Sequence, residues 1–276
     1  MRDASTVICL WLTLVSALPA QGEVVHQEIN GLRVSASLVL AEEAAPQGPV
    51  FLILHGTWAH AGMEIIEGLQ TGLAERGFSS LAPTLSLGES DRSGFRDCAP
   101  PFHMRHEDAV EELGVWVQYL KGRGYGELVL VGHSRGAAQV ALFQSLQPDS
   151  VSATQADDEI GNVVRRLVLI GPMVHKPQQD RILKGQLLRC SDVIAPAEVV
   201  SSYHGVSPEK HTPTLLKSVT IPALVLLGSD DAIARWSDAD RAAVAQSDVH
   251  QVVEIDGADH FFRDLYLDDV LDLMVE

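Results

Sequence analysis

The stretch LVLVGHSRGAAQVALF, Leu128 to Phe143, constrains the fold of this chain more than any other segment. Leu128, Val129, Leu130 and Val131 form a short β-favouring apolar run, the kind shown by a strand buried on both faces. Beyond Ser134, the small and apolar residues Ala137, Ala138, Val140, Ala141 and Leu142 suit a helix packed closely on a sheet. Between the two stands Gly132-His133-Ser134-Arg135-Gly136, a G-x-S-x-G pattern. Its glycines permit a turn so sharp that Ser134 must take strained dihedrals, with its hydroxyl presented at the edge of the sheet. A purely structural strand-to-helix turn would not need a serine there.

The remaining segments supply neighbours for that unit. Residues 24–40 read as an antiparallel hairpin turned at Asn30-Gly31. Ala41 to Pro49 is a polar connector, and Val50 to Leu54 is an apolar run ending at His55-Gly56. A helix is predicted over Glu64 to Arg76, closed by Gly77, with a strand over Phe78 to Pro83. Ser86 to His103 is rich in Gly, Ser, Pro and charge, and reads as an ordered loop. Val110, Leu113, Val117 and Leu120 recur at helical intervals before Gly122 to Gly126 ends the pattern. Further strands are predicted at Arg166–Ile170, Ile221–Leu227 and Val249–Ile255. Helices are predicted at Arg135–Gln147 and Ser237–Ala245, the latter opened by a Ser237–Asp240 capping box. Strands alternating with helices imply right-handed crossovers and a mostly parallel sheet. Residues 172–220 break that rhythm and read as a small cap, an insertion over the C-terminal end of the sheet. Ligands bind at that edge in open α/β sheets.

A serine hydroxyl is a poor nucleophile until a base takes its proton, and the base must be oriented by a third group. The strand at Ile221–Leu227 leads into Gly228-Ser229-Asp230-Asp231. The strand at Val249–Ile255 leads into Asp256-Gly257-Ala258-Asp259-His260. Both Asp230 and Asp231 stand where a carboxylate is needed, and the chain order is Ser, Asp, His.

With HGTW after the third strand, GHSRG after the fifth, LLGSDD after the seventh and GADHFF after the eighth, the chain resembles the α/β-hydrolase superfamily. The likeness runs from about Val50 to the C-terminus. It implies an α/β-hydrolase fold, a mostly parallel central sheet flanked by helices. It also implies Ser134 as nucleophile, His260 as general base and then acid, and Asp231 rather than Asp230 as the acidic member. The resemblance further implies an oxyanion hole from the backbone amides of Thr57 and Arg135. Arg135 opens a helix whose unpaired donors and dipole favour developing negative charge. The expected activity is hydrolysis of a carboxylic ester through an acyl-enzyme, with a small-molecule ester and water as substrates and with no metal or organic cofactor. Thioesterase, peptidase, acyltransferase and carbon–carbon hydrolase chemistry on the same triad are the alternatives, and a non-catalytic binding module is a further one.

His103, His106, His175, His204 and His211 show no metal-ligand spacing, and solvated or structural roles are expected for them. His55 and His133 are expected to support the turns that contain them, and Asp256 and Asp259 to shape the loop before His260. The Arg135 side chain is expected to pack or pair. Trp58, Phe102, Trp236 and Phe261 are candidates for an acyl pocket, against ordinary burial in the core.

The formal charge of −17, from 37 acidic and 20 basic residues, argues against nucleic-acid binding. Arg2, the apolar stretch Val7 to Leu18 and the small residues near Ala20 read as a signal peptide over residues 1–20, too short in its apolar core to span a bilayer. Cleavage falls within 17–22, after Ala17 or Ala20, with an uncleaved anchor as the alternative. The hydrolase domain then occupies 23–276, in the periplasm or outside the cell, with no stable membrane anchor. Removal of the leader takes Cys9 and leaves Cys98 and Cys190, which an oxidising compartment would join. Two unpaired buried thiols are the alternative. Oligomeric state leaves no mark on the sequence.

Overall fold

Continuous apolar strands form the centre of the molecule because each must bury both of its faces. The computed structural model describes residues 22–41, 48–147, 163–174, 190, 194–204 and 208–276. The expected leader over 1–20, Cys9, His175 and parts of the insertion lie outside the described residues. Eight strands among the described residues form one sheet: β1 (Glu23–Ile29), β2 (Leu32–Val39), β3 (Val50–Leu54), β4 (Ser80–Thr84), β5 (Leu128–His133), β6 (Val164–Ile170), β7 (Ala223–Gly228) and β8 (His250–Ile255). Their spatial order is β1-β2-β4-β3-β5-β6-β7-β8. The β1–β2 hairpin turns at Asn30 and Gly31, and β2 pairs antiparallel with β4. Every other pairing is parallel.

Side chains alternate across a strand, and the two faces can be followed residue by residue. In β3, Leu52 and Leu54 pack into one apolar layer and Phe51 and Ile53 into the other. In β5, Leu128 and Leu130 join the first layer, Val129 and Val131 the second. The first layer is covered by α2 (Ala109–Gly122), through Leu113, Trp116 and Val117, and by α3 (Arg135–Ser145), through Val140 and Phe143. The second is covered by α1 (Glu64–Glu75), through Ile66, Leu69 and Leu73, and by α7 (Leu265–Val275), through Val270 and Leu271. Within the insertion lie α4 (Ala197–His204) and the short α5 (Thr212–Leu215). The expected capping box opens α6 (Asp238–Ala245): Asp240 N donates to Ser237 Oγ, and Ser237 N donates to the Asp240 carboxylate.

Cys98 and Cys190 are joined in a disulfide, 92 residues apart in sequence. The bond ties the irregular segment 86–105 to the insertion, and Phe102 N donates to Ile194 O close by (2.8 Å). Closing so long a loop removes much of the freedom of the unfolded chain. Replacing both cysteines with serine is expected to lower the stability by about 2–4 kcal/mol, read as a lower urea midpoint that reductant no longer shifts. A midpoint equal to wild type would contradict it.

Candidate active site

Parallel pairing decides where the functional residues meet. β3, β5, β7 and β8 all end at the same edge of the sheet, so Thr57, Ser134, Asp231 and His260 converge there from distant parts of the chain. At Ser134 the backbone turns sharply, with φ 58° and ψ −118°. The flanking glycines are forced by close approach. A Cβ on Gly132 would lie 2.5 Å from the backbone of Ala137, and one on Gly136 would lie 2.4 Å from His55 O. These contacts let α3 start hard against β3 and β5, and they leave Ser134 in a conformation costing about 1–3 kcal/mol.

Ser134 Oγ donates to His260 Nε2 at 2.8 Å, and His260 Nδ1 donates to Asp231 Oδ2 at 2.7 Å. With the carboxylate facing Nδ1, the proton sits there and Nε2 is left as the acceptor. Asp231 Oδ1 accepts from the backbone N–H of Ile233 (2.7 Å) and Ala234 (2.8 Å). Burial pushes the Asp231 carboxyl up, but the hydrogen bond from His260 and the two amides outweigh it and hold the group below its usual range. Asp230, the other candidate, is exposed and bonds to Ala258 O through its backbone. Asp231 is therefore the carboxylate that meets His260.

Two neighbouring histidines hold the turns, as expected. His133 Nε2 donates to His260 O (2.8 Å), fixing the loop that carries His260. His55 Nδ1 donates to Gly56 O (2.8 Å), while its Nε2 accepts from Leu85 N (3.1 Å). Burial first, then a neighbouring basic group that would repel an added proton (Arg92 beside His55, the His260 imidazole beside His133), lowers His55 to about 3 and His133 to about 4. In the unfolded chain both would titrate near 6.5. As pH drops below that value, the unfolded chain takes up protons that the folded chain refuses, and stability falls. The unfolding free energy is expected to decrease between about pH 6.5 and pH 4, by about 1.4 kcal/mol for each pKa unit of depression that is traversed, and the urea midpoint to fall with it. A midpoint independent of pH across that window would refute it. Asp231 adds its own loss only below the ordinary carboxylate range.

A cavity of about 530 Å³ opens over Ser134 and His260. Its walls come from separate segments: Thr57 after β3, Met63, Ile65 and Ile66 around the start of α1, Phe95 in the 86–105 segment, Met173, Tyr203 and His204 in the insertion, and Ala232, Ile233 and Arg235 after β7. Arg135 also lines it. The Arg135 Nε donates to Thr57 Oγ1 (2.9 Å) and the guanidinium lies 4.9 Å from the Tyr203 ring centre, so the side chain packs and pairs as expected. Burial lowers Arg135 to about 10, which leaves it charged at neutral pH.

Of the four aromatic candidates, Phe261 alone lines this cavity. Trp58 and Phe102 are buried against each other, ring centres 4.9 Å apart, and Trp236 is tied to Pro172 O through its indole N–H (2.8 Å). These three are core because their segments fold under the cavity wall. Asp259 accepts from Phe261 N (2.9 Å) and Asp256 accepts from Ser229 Oγ (3.3 Å), so both shape their loops. His103 is exposed, His106 is buried, and His211 precedes α5. His204 is buried at the end of α4 and lines the cavity. Met63, Ile65, Phe95, Met173 and Tyr203 were not anticipated. They belong to no motif, and only the folding of remote segments onto one edge brings them together.

The family model "Alpha/beta hydrolase family" matches residues 51–273. The chain belongs to the alpha/beta hydrolase family and is an enzyme of that class. Its fold is similar to that of Est1E from Butyrivibrio proteoclasticus with ferulic acid bound (TM-score 0.67, 19% identity, 91% of this chain and 98% of that one covered). It is also similar to the thioesterase domain from the curacin biosynthetic pathway (TM-score 0.61, 14% identity, 92% and 99% covered). A dienelactone hydrolase from Anabaena variabilis is a third (TM-score 0.56, 14% identity, 93% and 96% covered). At these identities the likeness is one of fold. No curated sequence matches the chain.

Proposed function

We propose that this protein is a serine hydrolase that cleaves carboxylic esters through an acyl-enzyme intermediate. The observation that carries this reading is the unbroken Ser134–His260–Asp231 hydrogen-bond chain at the floor of a cavity. Ser134 Oγ attacks the ester carbonyl as His260 Nε2 takes its proton. The oxyanion rests on the Thr57 and Arg135 amides, the second at the positive end of α3. His260 then gives its proton to the departing alcohol. In the second half, water attacks the acyl carbon, His260 takes a water proton and returns it to Ser134 Oγ, and the acid leaves. Asp231 holds the imidazole tautomer throughout and stabilises the imidazolium. A thioesterase domain and a dienelactone hydrolase among the similar folds agree with hydrolysis as the reaction class.

We further propose that the chain is exported by the leader over residues 1–20. The Cys98–Cys190 disulfide supports an oxidising destination. Among the described residues, no helix is long and apolar enough to cross a membrane. Labelling with a fluorophosphonate probe, followed by intact-mass analysis, tests the chemistry. One adduct, lost when Ser134 is replaced, is expected; a folded protein that takes up no probe would overturn the reading.

A further inference from the structure

Phe95 is a large apolar side chain left half exposed (50%) in a segment that contains neither helix nor strand, and it lines the cavity over Ser134. An exposed phenylalanine on an irregular segment would ordinarily be mobile. Here two buried arginines bracket it. Arg92 donates to Leu85 O (2.7 Å) and to Gly94 O (2.5 Å). Arg96 donates to Asp97 O (2.6 Å) and to Pro101 O (2.9 Å), pairs with Glu89 (3.1 Å) and lies 5.0 Å from the Phe102 ring centre. Burying two guanidinium groups to grip backbone carbonyls carries a desolvation cost that a surface loop does not need. The Cys98–Cys190 bond then fastens the same segment to the insertion that forms the facing wall. Phe95 itself meets the His60 ring edge-on, ring centres 5.3 Å apart.

The surface that Phe95 faces is mainly apolar. Ile65 and Ile66 come from α1, Met63 from the residue that caps it, and Met173 and Val174 from the insertion. Among the described residues, no Asp or Glu lines the cavity; Arg135 is turned onto Thr57 and Tyr203, and Arg235 is exposed. A rigidly held aromatic over an apolar floor grips a flexible apolar chain at a reduced entropic cost, because the wall does not have to be ordered on binding.

From this arrangement we infer that the cavity takes the apolar acyl chain of a medium-length ester, and that Phe95 is the residue that selects for it. This assignment rests on the hydrolase reading above and names its substrate class. The test compares p-nitrophenyl acetate with p-nitrophenyl octanoate in wild type, Phe95→Ala and Phe95→Leu. The octanoate-to-acetate ratio of kcat/KM is expected to fall about tenfold in Phe95→Ala, through KM, and to be largely restored in Phe95→Leu. An unchanged ratio would overturn the assignment, as would equal losses on both esters. Calorimetry of sodium octanoate with the Ser134→Ala protein, with and without Phe95→Ala, reads the subsite without turnover. A tenfold weaker Kd in the double variant supports the subsite even where ester turnover is absent, and an equal Kd overturns it.

Discussion

Replacing Ser134 with Ala is expected to lower kcat for ester hydrolysis by about 10⁶-fold, with the urea midpoint close to that of wild type. The expected loss is this large because, in the proposed mechanism, the hydroxyl forms the bond to the acyl carbon, and among the described residues Ser134 Oγ is the side-chain group bonded to His260 Nε2. Stability should barely change. Alanine keeps the Cβ and the backbone bonds from Ser134 N to Ile170 O (2.8 Å) and from Met173 N to Ser134 O (3.2 Å). The hydroxyl contributes a single hydrogen bond, on the order of 1 kcal/mol. Some catalysis above the rate in water, about 10³–10⁴-fold, should survive from the amides of Thr57 and Arg135 and from substrate binding. Retention of a tenth or more of wild-type turnover would remove Ser134 from the mechanism.

Asp231→Asn is the second large effect, an expected loss of about 10⁴-fold in kcat near neutral pH. The carboxylate accepts a hydrogen bond from Nδ1–H at 2.7 Å, and its other oxygen is already held by two backbone amides. An amide in its place can turn an N–H towards the ring, and Nδ1 then becomes an acceptor. The proton moves to Nε2, where it can no longer be taken from Ser134. The pKa of Asp231 is held below the usual carboxylate range, so the charge persists at mildly acidic pH and its protonation does not limit activity there. Asp230→Asn is the control. Its side chain is exposed and does not meet the imidazole, so activity within about twofold of wild type is expected. If Asp230→Asn were crippled and Asp231→Asn active, the assignment of the carboxylate would be reversed.

Local chemistry made several elements readable before any coordinates. The run Leu128 to Val131 read as a strand because it is short, β-favouring and closed by a glycine turn, which suits a sheet position buried on both faces. Gly132 and Gly136 signalled a sharp turn, and the clashes that a Cβ would make there add close backbone approach as a second reason for glycine. Ser134, Asp231 and His260 were legible because each follows a strand closely, and a parallel sheet brings such positions to one edge. Strand ends were less legible: β6 begins at Val164 and β7 runs from Ala223 to Gly228, where Arg166 and the span Ile221 to Leu227 were expected. Edges depend on which neighbour offers a hydrogen-bond partner, and that is a property of the sheet.

The aromatic residues mark the other limit. Trp58, Phe102, Trp236 and Phe261 carry equal claims to a pocket in one dimension, yet three are core and one faces the cavity. Tyr203, Phe95 and Met63 carry no motif, yet they form its walls.

By itself, then, the amino-acid order determined the alternation of strands and helices, the sharp turn at Ser134 and the order Ser134, Asp231, His260 along the chain. Those features depend on near neighbours, through period, side-chain size and glycine geometry. Tertiary structure decided which side chains surround the cavity over Ser134, and it placed Asp231, not Asp230, against His260. Those choices are made between residues distant in the chain, where sub-ångström packing and the direction of a side chain outweigh local preference.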